Sequence, residues 1–266
     1  MICLYNQNIW GNMPKGARIA NRNGLIKDMI FEIEPDFCNF QECRPITSRA
    51  GDSAIQKIIF EKYAESNACH AHENFTPVFY KRDRFTELDG GFVLFEGLND
   101  INSKSITWGL FEDKNDGKRL AVVSNHFWWQ CRSEEDFAQR VENAKQLKGV
   151  CDRIIEKYGD IPVIVSGDFN SGTIGPQGPS GYDAMVAGGF TDARFVAEKT
   201  TDCHTVHDYP ILTESGVYIA GGEPNKTIDY VFTYGKKPEV AEFSVLSDDR
   251  ARTSSDHCPV VVKFEI

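Results

Sequence analysis

The chain has 266 residues, 41% apolar and 26% charged, and no run apolar and long enough to span a bilayer, which excludes a disordered, collagen-like or coiled-coil protein. Lysine and arginine number 29 against 39 aspartates and glutamates, a formal charge of -10. That balance argues against a protein that binds nucleic acid by neutralising phosphates, though not against a nuclease whose metal does so.

The chain enters directly on an apolar, strand-like run, Ile2-Cys3-Leu4-Tyr5, which ends at Asn8. No basic and apolar leader precedes it, so a cytoplasmic protein is expected. Ile19, Leu25, Ile26, Met29, Ile30 and Ile33 recur near helical spacing and predict a helix over 16–33, closed by Pro35; Asp36 to Phe40 then reads as a buried strand. Ile55, Ile58, Ile59 and Tyr63 predict a second helix over Asp52 to Glu65. His70 and His72 read as exposed loop residues. Strands follow at Val78 to Lys81, Phe92 to Phe95, Ser105 to Phe111 and Leu120 to Asn125. Ser133 with Asp136 forms a capping-box pattern, opening a long helix striped by Phe137, Val141, Ala144, Leu147, Val150 and Ile154 that stops at Gly159.

The clearest strand is Ile161 to Ser166, which runs into Gly167-Asp168-Phe169-Asn170; Ser171 to Gly181 reads as a substrate-side loop. Three more strands are expected, at Thr227 to Tyr234, Val240 to Leu246 and Cys258 to Phe264. No linker or repeat interrupts the sequence, so residues 1–266 are read as a single domain, with two packed sheets and helices outside. The eight cysteines form no C-x-x-C pair and read as reduced thiols.

Polar side chains fall where apolar runs end: Asn8, Gln41-Glu42, Asn125-His126, Asp168 with Asn170, and Asp256-His257. Each alone suits a turn or a hydrogen-bonded core position. Asp229 interrupts the run Ile228 to Phe232, and a carboxylate inside a buried strand needs a partner, for which imidazole is the natural choice. Together the residue types fit one task. Glu42 and Asp256 are hard oxygen ligands for Mg²⁺, Asn8 and Asn170 are amides for a phosphate or water, and His126, His257 and Asp168 are acid/base groups. That chemistry points to phosphate-ester hydrolysis.

The segments Asn8-Ile9-Trp10-Gly11, Gln41-Glu42, Phe79-Tyr80-Lys81-Arg82-Asp83, Asn125-His126, Gly167-Asp168-Phe169-Asn170, Ile228-Asp229-Tyr230-Val231-Phe232 and Ser255-Asp256-His257-Cys258-Pro259 span nearly the whole chain. In this order they resemble the endonuclease/exonuclease/phosphatase superfamily of deoxyribonuclease-like, metal-dependent hydrolases. The resemblance implies an α/β four-layer sandwich, two packed mixed β-sheets flanked by helices, with the site at one edge. It implies Glu42 as principal ligand of Mg²⁺ (or Mn²⁺), with Asn8 and Asp256 completing or supporting the site. Asp168 and Asn170 would orient water and phosphate. His257, paired with Asp229, would be general base or transition-state stabiliser, and His126 a donor to the phosphate or the leaving oxygen. Metal count and the choice of base between Asp168 and His257 stay open. Where such nucleases set a carboxylate opposite the first histidine, the candidates here are Glu73 and Asn74.

Basic clusters are confined to Lys81-Arg82 with Arg84 and to Lys236-Lys237, which does not favour a nucleic-acid partner. Trp128 and Trp129 beside His126 suit either stacking on a sugar ring or packing, one in the core and one over a helix end; the family resemblance implies Tyr80, and His207 of the Thr205-Val206-His207 loop, as further substrate contacts. The expectation is a Mg²⁺-dependent phosphatase or phosphodiesterase acting on a small, soluble, possibly sugar-containing phosphate ester. The alternative is a metal-dependent endonuclease. A sphingomyelinase-like lipid phosphodiesterase ranks lower, because no membrane-binding hairpin is evident, as does a non-catalytic binding module.

Overall fold

The computed structural model describes residues 1–11, 20–43, 59–67, 74–172, 180–201 and 204–266. Two large mixed sheets carry the fold. The first runs, in spatial order, β10 (Lys199–Thr201), β14 (Glu239–Val245), β15 (Val260–Glu265), β1 (Ile2–Asn8), β2 (Phe37–Gln41), β4 (Val78–Lys81) and β3 (Tyr63–Glu65). The second runs β5 (Phe85–Leu94), β6 (Ser105–Asp113), β7 (Arg119–His126), β8 (Pro162–Asp168), β13 (Asp229–Gly235) and β9 (Thr191–Asp192). A short hairpin, β11 (Ile211–Leu212) with β12 (Tyr218–Ile219), stands apart.

Side-chain alternation builds the layers, because successive residues of a strand face opposite sides. Leu4, Phe37, Leu120, Val122, Ile164, Val231 and Val262 pack between the two sheets. Their neighbours in sequence face outward. Tyr5, Cys38 and Phe40 meet Ile26, Met29 and Ile30 of α1 (Ala20–Ile33), while Val123, Val163 and Val165 meet Ala144, Leu147, Val150 and Ile154 of α2 (Glu134–Tyr158). The result is helix, sheet, sheet, helix. Ser133 and Asp136 form a reciprocal capping box at the start of α2, and Gly159 closes it at φ 87°. Among the described residues no helix is long and apolar enough to cross a membrane.

The inter-sheet layer changes character along its length. In β1 the inward positions pass from Ile2 and Leu4 to Asn6 and Asn8; in β2 they pass from Phe37 to Asn39 and Gln41; in β7 from Leu120 and Val122 to Ser124 and His126; and in β8 from Ile164 to Ser166 and Asp168. One end of the sandwich is therefore an apolar core and the other a polar one. The polar end satisfies itself across the sheets: Ser166 Oγ donates to Asn6 Oδ1 at 2.9 Å, Asn39 Nδ2 to Ser166 Oγ at 2.9 Å, and Gln41 Nε2 to Ser124 Oγ at 3.2 Å.

Two expectations are corrected. Tyr63–Glu65, the end of the helix expected over Asp52 to Glu65, is an edge strand paired with β4; residues 52–58 lie outside the described residues, as do His70 and His72. The strand expected from Phe92 begins at Phe85, because Gly90-Gly91, which reads as a turn, is a place where the strand runs beneath the Trp108 ring. A Cβ on Gly91 would sit 2.4 Å from Trp108 Nε1. Short elements also went unread: α3 (Gly181–Ala187), α4 (Ala193–Val196) and α5 (Asp249–Ser254), and strands β9 to β12.

Candidate active site

The polar ends of β1, β2, β7, β8 and β13 open into a cleft of about 750 Å³ lined by Glu42, Lys104, His126, Asp168, Asn170, Asp256 and His257, among others. Register does much of the positioning. His126 lies beside Asp168 in the parallel pair β7/β8, and Asp229 lies opposite Asp168 in the antiparallel pair β8/β13. Gly167 lets β7 and β8 meet here, since a Cβ on it would lie 2.1 Å from the Asn125 carbonyl oxygen.

Strand alternation cannot deliver Glu42 or Asn170, which follow the ends of their strands. Both adopt left-handed backbone, φ 55° and 48°, as does Trp10 at the cleft rim, φ 52°. Such conformations in residues other than glycine cost free energy and cluster at functional sites. Asn170 N–H donates to Asp168 Oδ1 at 2.9 Å, and its Nδ2 to the Phe127 carbonyl at 3.1 Å.

Asp168 is the centre of the arrangement. Its Oδ2 lies 3.4 Å from His126 Nε2 and 3.9 Å from His257 Nε2, and accepts from Asn8 Nδ2 at 3.0 Å. Burial acts to raise the carboxyl pKa, yet the His126 hydrogen bond, the two imidazoles and the Asn170 amide outweigh it, so Asp168 is held well below the usual carboxylate range. His257 Nδ1 meets Asp229 Oδ2 at 2.9 Å. Burial pushes its imidazole down, but the charges of Asp229, Asp256 and Asp168 carry it well above the ordinary histidine value. The Asp229 N–H donates to Thr205 Oγ1 at 3.2 Å, and Ser255 Oγ joins the Asn8 carbonyl to the His257 N–H, so both partners are anchored.

Beside His257, with Oδ1 4.0 Å from its Nε2, Asp256 is pushed up to about 6, by burial first and then by the charges of Glu42 and Asp168, against the pull of His257. Carboxylates set this close are the donor set a hard divalent cation takes, and binding one relieves their repulsion. Asp168, Asp229 and His257 also present ligand atoms within 4.8 Å of one another. The residues present therefore fit a cation. Asn8 stands among these carboxylates, where a supporting role was expected. Its Oδ1 accepts the Trp10 N–H at 2.9 Å, which turns Nδ2 toward Asp168 and Glu42, so it braces the carboxylates as a donor.

The substrate contacts separate. Trp129 is 46% exposed on the cleft wall, with Nε1 donating to Asp100 Oδ2 at 2.9 Å. Trp128 is buried, and its Nε1 donates to Asp136 Oδ1 at 2.6 Å, so it seals the start of α2 and does not line the cleft. Tyr80 packs on Phe111, paired with Phe37 at the opposite end of β2 from Glu42, and is half-buried against the inter-sheet core. His207 lines the cleft, its Nδ1 bonded to the Asp208 carbonyl and its pKa lowered by burial.

Three features were missed in the sequence. Lys104, just before β6, is buried with Nζ 2.9 Å from His126 Nε2. It stands where a carboxylate partner for His126 was sought; Asn74 bonds Thr107 Nδ2-to-Oγ1 at 2.8 Å, and Glu73 lies outside the described residues. A lysine at the head of a strand carries no signal of burial. Trp10 stacks on Tyr209, centroids 5.0 Å apart and 25° between planes, forming an aromatic rim. Beside Tyr209 the hairpin β11/β12 and its turn expose Ile211, Leu212, Val217 and Ile219, an apolar hairpin that the sequence reading did not find.

No protein-family model and no curated protein matches this sequence. Solved structures do match over their full length. An endonuclease/exonuclease/phosphatase from Bacteroides vulgatus superposes with a TM-score of 0.76 at 21% identity, covering 100% of this chain and 98% of that one. The chain has the endonuclease/exonuclease/phosphatase fold. A Bacteroides thetaiotaomicron mannosyl-6-phosphatase shares that fold at TM-score 0.74 and 19% identity over 100% of both chains. Truncated Caenorhabditis elegans TDP2 shares it at TM-score 0.68 and 14% identity, covering 100% of this chain and 97% of that one. The four-layer α/β sandwich expected from the sequence is thus the fold observed.

Proposed function

We propose that the chain is a divalent-cation-dependent hydrolase of phosphate esters, acting on a small, soluble, sugar-containing phosphate. The observation that carries this reading is Asp168 set between two imidazoles, with Glu42 and Asp256 beside them in one cleft. The mannosyl-6-phosphatase among the fold neighbours is consistent with it. Glu42 and Asp256, with Asp168 beside them, would hold Mg²⁺ or Mn²⁺, whose contribution is to neutralise charge on a non-bridging phosphate oxygen.

The chain's own residues supply the rest. His257, kept protonated by Asp229, donates from Nε2 to the phosphoryl group as negative charge builds on it. Asp168, kept ionised, accepts a hydrogen bond from the attacking water and so orients it, while the protonated His257 is not free to take its proton. His126 and Lys104 face the same oxygens from the β7 side. Trp10, Tyr209 and Trp129 offer ring faces on which a sugar can rest. The carboxylates of Asp100 and Asp208 also border the cleft, which disfavours a long polyanion such as DNA.

A second reading, hydrolysis of a lipid phosphoester, draws on the exposed hairpin beside the cleft. One panel decides among the readings: sugar phosphates, bis-p-nitrophenyl phosphate, phospholipid vesicles and supercoiled plasmid, each with Mg²⁺ and with EDTA. Sugar-phosphate turnover that needs the metal and disappears in Glu42→Ala is expected. Plasmid nicking lost in Glu42→Ala would replace the proposal with a nuclease, vesicle hydrolysis with a lipid enzyme, and activity surviving EDTA would remove the metal.

A further inference from the structure

A second cavity, of about 560 Å³, opens beside the cleft and shares Trp129, Cys131, Asn170, Lys226 and Ile228 with it. Its electrostatic character is the reverse of its neighbour's. Carboxylates of Glu42, Asp100, Asp168, Asp208 and Asp256 border the cleft, whereas among the described residues no carboxylate lines the second cavity. Arg140 and Arg194 line it instead, and Lys226 stands on the wall it shares with the cleft, in a chain whose formal charge is -10.

Two of these cations have no carboxylate within ion-pair distance among the described residues, though the charges of Asp136 and Asp168 reach Arg140. Arg140, on α2, is only 4% exposed; its Nη1 donates to the Gln130 carbonyl at 2.7 Å and its guanidinium lies 4.9 Å from the Phe137 ring centroid. A guanidinium has five N–H donors and stays charged, so burying one beside a cavity with a neutral carbonyl as its hydrogen-bond partner is costly unless an anion completes it. Lys226 is exposed at the mouth, and its backbone is pinned by the bridge to Val206, which fixes where the ammonium starts. Arg194, whose Nη2 lies 3.5 Å from Asp192 Oδ2, adds a third positive group. Phe137, Ile228 and Trp129 supply apolar walls between the cations and the cleft.

We propose that this cavity is an anion subsite, and that the substrate is a phosphate ester carrying a second anionic group, phosphate or carboxylate, at its far end. The proposal rests on the phosphoesterase reading of the cleft for the word substrate, but not for the binding site itself. The ester phosphate lies in the cleft, the body of the molecule passes Asn170 and Trp129, and the distal anion meets Arg140 and Lys226. A substrate with a neutral far end leaves the two cations unpaired and binds more weakly.

Two measurements separate the subsite from the catalytic reading. In EDTA, glucose 1,6-bisphosphate and 6-phosphogluconate are titrated calorimetrically into wild type, Lys226→Glu and Arg140→Met, with melting temperatures recorded. Wild type should bind, and each variant should raise Kd about tenfold or more, the loss expected for one charge-assisted hydrogen bond. Lys226 is exposed, so its variant carries the test even if Arg140→Met folds poorly. The tighter of the two ligands identifies the distal group as phosphate or carboxylate. No binding, or equal Kd in wild type and Lys226→Glu, overturns the subsite. With Mg²⁺, kcat/KM for the bisphosphate should exceed that for glucose 6-phosphate in wild type, and the ratio should fall toward one in Lys226→Glu. Binding that depends on Lys226 without turnover of either ester would overturn the phosphoesterase reading while keeping the subsite.

Discussion

Lys104 Nζ lies 2.9 Å from His126 Nε2 and 3.4 Å from Nδ1. Burial pushes its pKa down, while the charges of Glu42, Asp100 and Asp168 pull the other way. The loop that delivers it is braced by Asn99, whose Nδ2 donates to the carbonyls of Phe95 at 3.2 Å and Lys104 at 2.9 Å and whose Oδ1 accepts the Lys104 N–H at 3.1 Å; Ile101 and Asn102 take left-handed backbone to close it. A buried ammonium held in this way serves charge in the cleft more than stability, since burying it is itself costly. Lys104→Met should therefore lower kcat by about a hundredfold, the scale of one lost transition-state donor. Its melting temperature should be unchanged or higher. Normal turnover in a variant that melts much earlier would show Lys104 to be structural.

Strand β5 and helix α2 are joined at the surface by Asp89, which follows the bulge in β5 and accepts from Lys157 Nζ at 2.8 Å and from the Tyr158 hydroxyl. These hydrogen bonds lower the Asp89 carboxyl to about 2. Because the folded value lies below the unfolded one of about 3.9, the interaction stabilises the protein above pH 4 or so and is lost as pH falls through 2. With the side chain 38% exposed, screening limits it to under about 1 kcal/mol. Urea titrations should find Asp89→Asn less stable than wild type at pH 7 and the gap closing near pH 2; a gap that widens on acidification would exclude this linkage. The two elements differed in legibility. Helix α2 has a capping box, a 3.6-residue stripe and a terminal glycine, all local signals. The stretch Phe85 to Gly91 of β5 mixes buried, half-buried and exposed residues and ends in two glycines, of which Gly91 passes beneath Trp108, a purpose that exists only after folding.

At the scale of the whole molecule, the sandwich is held at one end by apolar contact and at the other by hydrogen bonds between sheets. Ile164 is 1% exposed in the apolar half, two alternate positions before Asp168 on the same face of β8. Ile164→Ala should cost about 2–5 kcal/mol in denaturant unfolding through the cavity it leaves, with little change in kcat at a temperature where the variant stays folded. A large fall in kcat without loss of stability would mean that the inter-sheet layer tunes the site directly.

By itself, the sequence determined the strands that carry the site, the polar residues at their ends and the pairing of Asp229 with an imidazole, because alternation and burial cost act on neighbours along the chain. It also carried enough ordered motif for the sandwich to be expected, down to residues such as Asp168 and His257. Only the tertiary structure decided that Trp128 is buried and Tyr80 packs against the core while Trp10 and Tyr209 are rim, that Lys104 stands beside His126, and that Arg140 and Lys226 share a cavity. Those placements bring together residues tens of positions apart, and a local pattern holds no information about which distant side chain will close a given contact.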